Sequence, residues 1–260
     1  MPDEHMLTPL NRGICVAMVS GKGGVGKTVL TAGIGAALAR AGKRTVCVDC
    51  SAGLRALDLA MGLTGQTMAD FTDVAAQHRT LGEALIQHPE QPGLYLIHAP
   101  AQIPPEPVTA EQMRRLTDSI CSRFDFCLLD VPSGLDNGFT VSVNGADRLV
   151  IVTGADPMSL RNAQRTVMEA GRFPAGSVHI LPNRIYRRLL SHLRVTVDDM
   201  MDTAGAPLLG LIPEDHAVPR SLQLGLPVTM AFPLSGAARA CRNVAARLTG
   251  IHAPLSHIPW

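Results

Sequence analysis

Ser20-Gly21-Lys22-Gly23-Gly24-Val25-Gly26-Lys27-Thr28 is the stretch that decides the fold of this 260-residue chain. An apolar, β-branched run from Ile14 to Val19 precedes it, and Leu30, Ile34 and Leu38 follow at the spacing of one helical face. The glycine-rich loop between this strand and helix has the pattern G-x-x-x-x-G-K-T, which binds nucleotide phosphates in that context. We therefore predict a phosphate-binding loop here.

Each position of the loop has a predicted task. Glycines allow backbone N–H groups to turn toward phosphate oxygens, and the positive end of the following helix dipole favours the same anion. Lys27 is predicted to reach the β- and γ-phosphates, and Thr28 to give its hydroxyl to Mg²⁺. The backbone groups of the cradle belong to Gly21, Gly23, Gly24, Val25 and Gly26.

The first lysine of the loop carries further information. The chain has three lysines and twenty arginines, and two of the lysines, Lys22 and Lys27, lie in this loop, which disfavours a plain turn with a solvated lysine. The pattern K-G-G-x-G-K-T resembles the deviant Walker A motif of the ParA/MinD family of dimerising ATPases. This resemblance implies that Lys22 reaches across a two-fold interface to the ATP of the other subunit, while Lys27 keeps the ordinary P-loop role.

Length and composition favour one α/β domain. With 46% hydrophobic and 17% charged residues, the chain can bury a large core. We assign residues 13–250 to this domain, residues 1–12 to a flexible N-terminal arm and residues 251–260 to a short apolar tail. The net charge of +1 gives no general attraction to nucleic acid, so we expect no specific nucleic-acid partner.

The N-terminal residues, the apolar runs and the cysteines together predict where the protein is located. Residues 1–12 are polar with two acids, unlike a signal peptide, and no apolar run reaches membrane-spanning length. The six cysteines mostly lie in or beside apolar runs, where reduced cysteine packs as a small hydrophobe. We expect a cytoplasmic protein without disulfides, and we read Cys47-x-x-Cys50 as core filling rather than as a redox or metal pair.

An acidic residue ends the next predicted strand, Thr45 to Asp49. The segment from Asp49 to Gly62 resembles the MinD pattern D-x-D-x-G-L-R-N-L-D-L-x-x-G, with Ser51 in place of the second aspartate. The resemblance implies that Asp49 acts near the Mg²⁺ shell and that position 51 orients the water that attacks the γ-phosphate. A serine hydroxyl orients water more weakly than a carboxylate, so slow hydrolysis and retained hydrolysis both stay open.

A second acidic strand end completes the predicted magnesium site. The apolar run from Phe126 ends in Asp130, as a Walker B strand does, which puts a carboxylate within reach of a Mg²⁺-bound water. The following Val131-Pro132-Ser133-Gly134 resembles the switch II segment of MinD, with serine for the commoner alanine. The metal candidates are therefore Thr28, Asp49 and Asp130, and the predicted catalytic residues are Lys22, Lys27, Asp49, Ser51 and Asp130.

Recognition of the base is predicted farther along the chain. A strand from Ser177 to Leu181 leads to Asn183, where the family resemblance implies an amide that reads the adenine edge. The alternative is an asparagine that merely closes a strand turn. A last strand is predicted from Pro207 to Ile212, and the following Pro213-Glu214-Asp215 resembles the family loop that lies against adenine and ribose.

The surface-binding features are weak. Arg184, Arg187, Arg188 and Arg194 form a basic cluster that we read as a solvated rim rather than a nucleic-acid or lipid site. Two prolines and the lack of lysine and arginine make the tail 251–260 a poor amphipathic anchor, which leaves peripheral membrane association open. The nine histidines show no metal-ligand spacing.

The resemblance covers the chain from about Ile14 to Leu248 and implies fold and function together. We expect a doubly wound, mostly parallel twisted sheet between two helix layers, with Mg²⁺ and ATP at the carboxyl edge of the strands. The implied protein is a MinD-like ATPase that dimerises on ATP, works with regulators of the MinC or MinE type and places the division septum. The alternatives are a flagellar-number regulator and, because of Ser51, an ATP-locked dimer with little turnover.

Overall fold

The computed structural model describes residues 12–65, 69–135 and 137–256. Within them, seven strands form one sheet. The strands are β1 (Ile14–Val19), β2 (Thr45–Asp49), β3 (Ile86–Gln87), β4 (Leu94–Ile97), β5 (Phe126–Asp130), β6 (Arg148–Thr153) and β7 (Val178–Pro182).

Helices connect these strands. They are α1 (Lys27–Arg40), α2 (Leu57–Met61), α3 (Phe71–Ala75), α4 (Leu81–Ala84), α5 (Ala110–Cys121), α6 (Asn137–Val143), α7 (Pro157–Glu169), α8 (Arg187–Leu193), α9 (Val197–Ala204), α10 (Ala217–Gln223), α11 (Val228–Ala231) and α12 (Gly236–Leu248). A capping box begins α5: the Thr109 side chain accepts from the Gln112 backbone, and the Gln112 side chain accepts from the Thr109 backbone.

The sheet has the order β3-β4-β2-β5-β1-β6-β7, and all neighbouring pairs are parallel except β3 with β4. The apolar runs of β2 and β5 are buried along their whole length, as expected for strands covered on both faces. Because Asp49 and Asp130 are register partners on these adjacent strands, both carboxylates come to the same edge of the sheet.

Helices cover both faces of the sheet. The buried residues of α1, α2, α11 and α12 form one apolar cluster with one set of strand side chains. Those of α3, α4, α5, α6, α7 and α9 form a second cluster with the opposite set. The predicted doubly wound, three-layer fold is confirmed.

Two local predictions have opposite outcomes. Cys47 and Cys50 are buried free thiols, so the prediction of core filling is confirmed. The predicted strand from Pro207 to Ile212 is wrong as a regular strand: the segment runs beside β7, with backbone hydrogen bonds at Ile180 and Pro182, but it forms an isolated bridge at Leu208 instead of a continuous ladder. Pro207 has no N–H to give to a ladder, and Gly210 lies where a side chain would clash with Val244.

The ends of the predicted domain are partly described. Residues 1–11 of the predicted arm and 257–260 of the predicted tail lie outside the described residues. Arg12 donates to Asp147 and Asp118, each at 2.8 Å. Residues 251–256 form no helix, and the Ala253 carbonyl accepts from Arg247. No helix in the described part of the chain is long and apolar enough to cross a membrane.

Candidate nucleotide site

The glycine-rich loop leaves the carboxyl end of β1, which lies between β5 and β6 in the sheet, and runs directly into α1. Gly26 occupies the position before the helix with φ of 94°, a left-handed conformation, and an added Cβ would lie 2.4 Å from the amide nitrogen of Asn183. No side chain caps α1. The first N–H groups of the helix therefore remain directed at the loop, as an anion site requires.

Lys27 and Thr28 converge on the carboxylate of Asp130. The Lys27 Nζ lies 2.5 Å from Asp130 Oδ1, and Thr28 Oγ1 donates to Asp130 Oδ2 at 2.6 Å. Thr31 Oγ1 lies 3.4 Å from Asp130 Oδ1 and donates to the Lys27 carbonyl. The lysine of the glycine-rich loop and the carboxylate at the end of β5 thus meet in a buried ion pair.

Asp49 is fixed by backbone groups on both of its oxygens. Its Oδ1 accepts from the Ser51 N–H at 2.9 Å, and its Oδ2 accepts from the Leu57 N–H at 3.1 Å. Burial raises the pKa of Asp49 to about 6, aided by the charge of Asp130, while these two hydrogen bonds and Lys27 oppose the rise. A cation at this edge would favour the ionised carboxylate.

Lys22 stands in a different environment from Lys27. It is exposed, whereas Lys27 is 6% exposed. Lys22 lines a cavity of about 770 Å³ together with Asp156, the residue that caps α7. Burial alone would raise the pKa of Asp156, but hydrogen bonds from Ser159 and the charge of Lys22 outweigh it and lower this pKa.

Asn183 joins the end of β7 to the glycine-rich loop. Its Nδ2 donates to the Val25 carbonyl at 2.7 Å, and its backbone N–H donates to the Thr153 carbonyl at 2.8 Å. The side chain is half-buried and lines a cavity of about 290 Å³ together with Gly24, Gly26 and the segment 213–215. The structure therefore places the predicted base reader and the predicted base loop around one cavity beside the P-loop.

Two acids of the segment 213–215 already have partners. Glu214 pairs with Arg184 through oxygen–nitrogen distances of 2.7 and 3.3 Å. Asp215 accepts from the backbone N–H groups of Ala217 and Ala237, each at 2.9 Å. The Pro213 side chain lines the cavity of about 290 Å³. The Asp215 carboxylate caps backbone N–H groups at the starts of α10 and α12.

Ser51 lines a third cavity, of about 660 Å³, together with Gly23 and Gly24 of the glycine-rich loop. Its lining includes the polar side chains of Lys27, Thr28 and Ser133. Phe71, Ile103 and Met113 contribute apolar surface to the same cavity. Among the described residues that line it, the polar side chains are hydroxyls, a thiol and a lysine, with no carboxylate. A water held here by this chain alone would meet hydroxyl groups instead of the carboxylate implied by the family pattern.

The residues present fit Mg²⁺ with a nucleotide. Thr28, Asp49 and Asp130 offer hard oxygen ligands at the carboxyl edge, next to the backbone cradle. Among described residues, no group of three or more His, Cys, Asp or Glu side chains is arranged to bind a metal by itself. Mg²⁺ is usually held by one or two carboxylates together with water and substrate phosphates, so this edge suits it.

Sequence reasoning missed two residues of this site. Thr31 is fully buried and contacts both Lys27 and Asp130, and its position one helical turn after Lys27 was the available signal. The second is Asp156, whose carboxylate feels the charge of Lys22. Its place directly before Pro157 indicates a helix cap, but its approach to Lys22 depends on the pairing of β1 with β6.

Comparison with known protein families matches residues 16–228 to the CobQ/CobB/MinD/ParA nucleotide binding domain. The chain belongs to this family. The septum site-determining protein MinD of Synechocystis sp. is 35% identical to this MinD/ParA-family chain over 240 residues, which are 92% of this chain and 90% of that protein.

Solved structures agree with this assignment. The MinC:MinD cell division protein complex of Aquifex aeolicus gives a TM-score of 0.85 at 30% identity, covering 95% of this chain and 100% of that one. The septum site-determining protein MinD from Pyrococcus horikoshii, complexed with Mg-ADP, gives 0.79 at 25% identity, covering 91% and 96%. The predicted resemblance of this chain to MinD is confirmed.

Proposed function

We propose that this chain is a MinD-like, Mg²⁺-dependent ATPase that forms an ATP-bound dimer and places the division septum. The observation that carries the proposal is the contrast between the two lysines of one loop. Lys27 is buried against Asp130, as a residue of its own site, while Lys22 is exposed. An exposed lysine at the signature position suits contact with the nucleotide of a second subunit.

The proposed roles follow the geometry of the site. Lys27 and the backbone from Gly21 to Gly26 hold the phosphates, and Thr28, Asp49 and Asp130 hold Mg²⁺ and its waters. The bound Mg²⁺ neutralises charge on the phosphate oxygens. Asn183 and the segment 213–215 contact the base and ribose from the cavity that they line.

A pair of matched substitutions tests this function. Lys27→Ala is expected to abolish binding of a fluorescent ATP analogue, and retained affinity would remove the P-loop assignment. Lys22→Ala is expected to keep that binding while the ATP-dependent dimer disappears in multi-angle light scattering. A Lys22→Ala protein that still dimerises on ATP contradicts the cross-site role of this lysine.

A second candidate function is an ATP-locked dimer with little turnover. It is supported by Ser51 and by a neighbouring cavity in which no described lining residue is a carboxylate. Single-turnover hydrolysis of the wild type and of Ser51→Asp separates the two functions. Turnover that Ser51→Asp changes little favours the ATPase, whereas a wild type that dimerises without turnover and gains hydrolysis with Ser51→Asp favours the locked switch.

A regulator of the MinC type is the proposed protein partner. Support comes from the structural likeness to the MinD subunit of the Aquifex aeolicus MinC:MinD complex. Binding of MinC to this chain is expected with ATP and Mg²⁺ and not with ADP, because only the ATP state forms the proposed dimer. Equal binding in both states would contradict control by dimerisation. The same assay with anionic lipid vesicles measures whether the dimer attaches to a membrane.

A further inference from the structure

A buried polar cluster lies behind the loop that carries Ser51. His98, directly after β4, is 1% exposed, and its Nδ1 lies 3.7 Å from Asp58 Oδ2. Arg55 approaches the same carboxylate oxygen at 3.6 Å and has a left-handed backbone, with φ of 43°. Arg55 Nε and His98 Nε2 are buried and have no hydrogen-bond partner among the described residues.

This arrangement costs free energy that an apolar side chain at position 98 would avoid. A buried polar atom without a partner, such as His98 Nε2, costs about 1–3 kcal/mol. If the side chain at position 98 only packed the core, leucine or methionine would fill the site without burying an unpartnered polar atom. The polar cluster is therefore expected to serve something beyond the core, and its neighbours indicate what that is.

The cluster sits at the start of α2, and the start of α2 holds Asp49. The residue before the helix, Ala56, gives no side-chain cap. The Leu57 N–H instead donates to Asp49 Oδ2 at 3.1 Å, so a carboxylate of the nucleotide site takes the place of a local cap. Asp58 follows Leu57 in the same helical turn. A contact that holds the Asp58 side chain therefore also helps to hold the Leu57 N–H against Asp49.

Burial and the charges around His98 determine its protonation state. Three charged groups interact with the imidazole: Arg55 in the loop before α2, Asp58 in α2, and Asp70, which caps α3. Burial, followed by the positive charge of Arg55, lowers the pKa of His98, and the two carboxylates oppose this. The imidazole is therefore neutral at pH 7, and an N–H on Nδ1 is the tautomer that faces Asp58 favourably.

We propose that His98 is a positioning residue of the ATPase site: facing Asp58, it fixes the first turn of α2, and the Leu57 N–H of that turn fixes the carboxylate of Asp49. The inference rests on the ATPase function proposed above. It assigns no contact between His98 and the nucleotide. His98 acts through two intervening residues on a carboxylate at the Mg²⁺ edge.

Two variants, one with and one without an N–H donor at position 98, test the proposal. His98→Asn keeps a short N–H donor facing Asp58, whereas His98→Leu removes it. In nucleotide-free protein, amide hydrogen exchange of residues 51–59 is expected to be about tenfold faster in His98→Leu than in His98→Asn, because the turn opens more often. Exchange in α5 serves as the internal control for global unfolding.

Activity gives the second readout. His98→Leu is expected to lower kcat about tenfold while the affinity for ATP changes less than about twofold, since the misplaced group acts on the reaction more than on binding. His98→Asn is expected to recover most of the rate. Equal exchange at residues 51–59 in both variants, or equal kcat in both, overturns the proposal.

The two proposals fail in different ways. A wild type without ATP hydrolysis contradicts the ATPase function, while hydrogen exchange in nucleotide-free protein still tests the positioning role. If His98→Leu does not fold, Asp58→Asn takes its place, because it keeps the volume of Asp58 and removes the charge that His98 faces. The expected result is the same faster exchange at residues 51–59, and unchanged exchange there overturns the inference.

Discussion

Lys27→Ala is expected to destabilise the nucleotide-free protein, in addition to preventing phosphate binding. The Lys27–Asp130 pair is almost completely buried, with 6% and 2% of the side chains exposed, and its charged atoms are 2.5 Å apart. Removal of the lysine leaves a buried carboxylate with only hydroxyl partners, Thr28 and Thr31. Breaking a buried pair in this way costs about 3–5 kcal/mol.

The measurement is urea and thermal unfolding without nucleotide and with a chelator. For a domain of this size, each kcal/mol lowers Tm by about 2–4 °C, so the expected loss is about 6–20 °C. Lys22→Ala is the matched control, because it makes the same change in the same loop at an exposed position, where about 0.5 kcal/mol or less is expected.

The double variant Lys27→Ala/Asp130→Asn sharpens the test. It replaces the unpaired carboxylate with a neutral amide, so it is expected to regain part of the stability that Lys27→Ala alone loses. Equal losses for Lys27→Ala and Lys22→Ala would refute this account of the ion pair. So would a double variant whose loss is the sum of its two single losses.

Three further outcomes are expected. Asn183→Ala is expected to lower the preference for ATP over GTP about fivefold, measured by competition binding, because one hydrogen-bonding amide is lost; an unchanged ratio moves base recognition to backbone groups. Gly26→Ala is expected to cost about 2–4 kcal/mol in urea unfolding, because φ is 94° and the new Cβ meets Asn183; Gly23→Ala, with open space around it, is the control. Because the pKa of His98 is lowered, the unfolded chain binds its proton more readily, so the free energy of unfolding is expected to fall as pH drops below 6.5. His98→Asn is expected to weaken that fall, and an identical pH profile would contradict it.

The strands that build the site could be predicted because their signals are local. The predicted bounds of β1, β2 and β5 agree with the structure, since each is a short apolar run that stops where polar residues begin. The two acids at the ends of β2 and β5 follow from the same runs. Parallel pairing then brings Asp49 and Asp130 together without any further information from the sequence.

Contacts made over long distances in the chain could not be predicted in this way. The N–H of Leu57 is capped by Asp49, eight residues earlier, and no capping pattern precedes α2. The amide of Asn183 meets the Val25 carbonyl across 158 residues. The segment from Pro207 to Ile212 hydrogen-bonds to the edge of β7, but it forms an isolated bridge instead of a regular strand, and Pro207 has no N–H for a longer ladder.

The carboxylate of Asp215 has a mechanical consequence. It bonds the Ala217 N–H at the start of α10 and the Ala237 N–H at the start of α12, twenty residues apart. If either helix start shifted alone, one buried N–H would lose its partner at a cost of about 1–3 kcal/mol. The Asp215 carboxylate therefore ties the segment 213–215 to the starts of both helices. A displacement of this segment at the proposed base cavity is thus expected to act on the starts of α10 and α12 together.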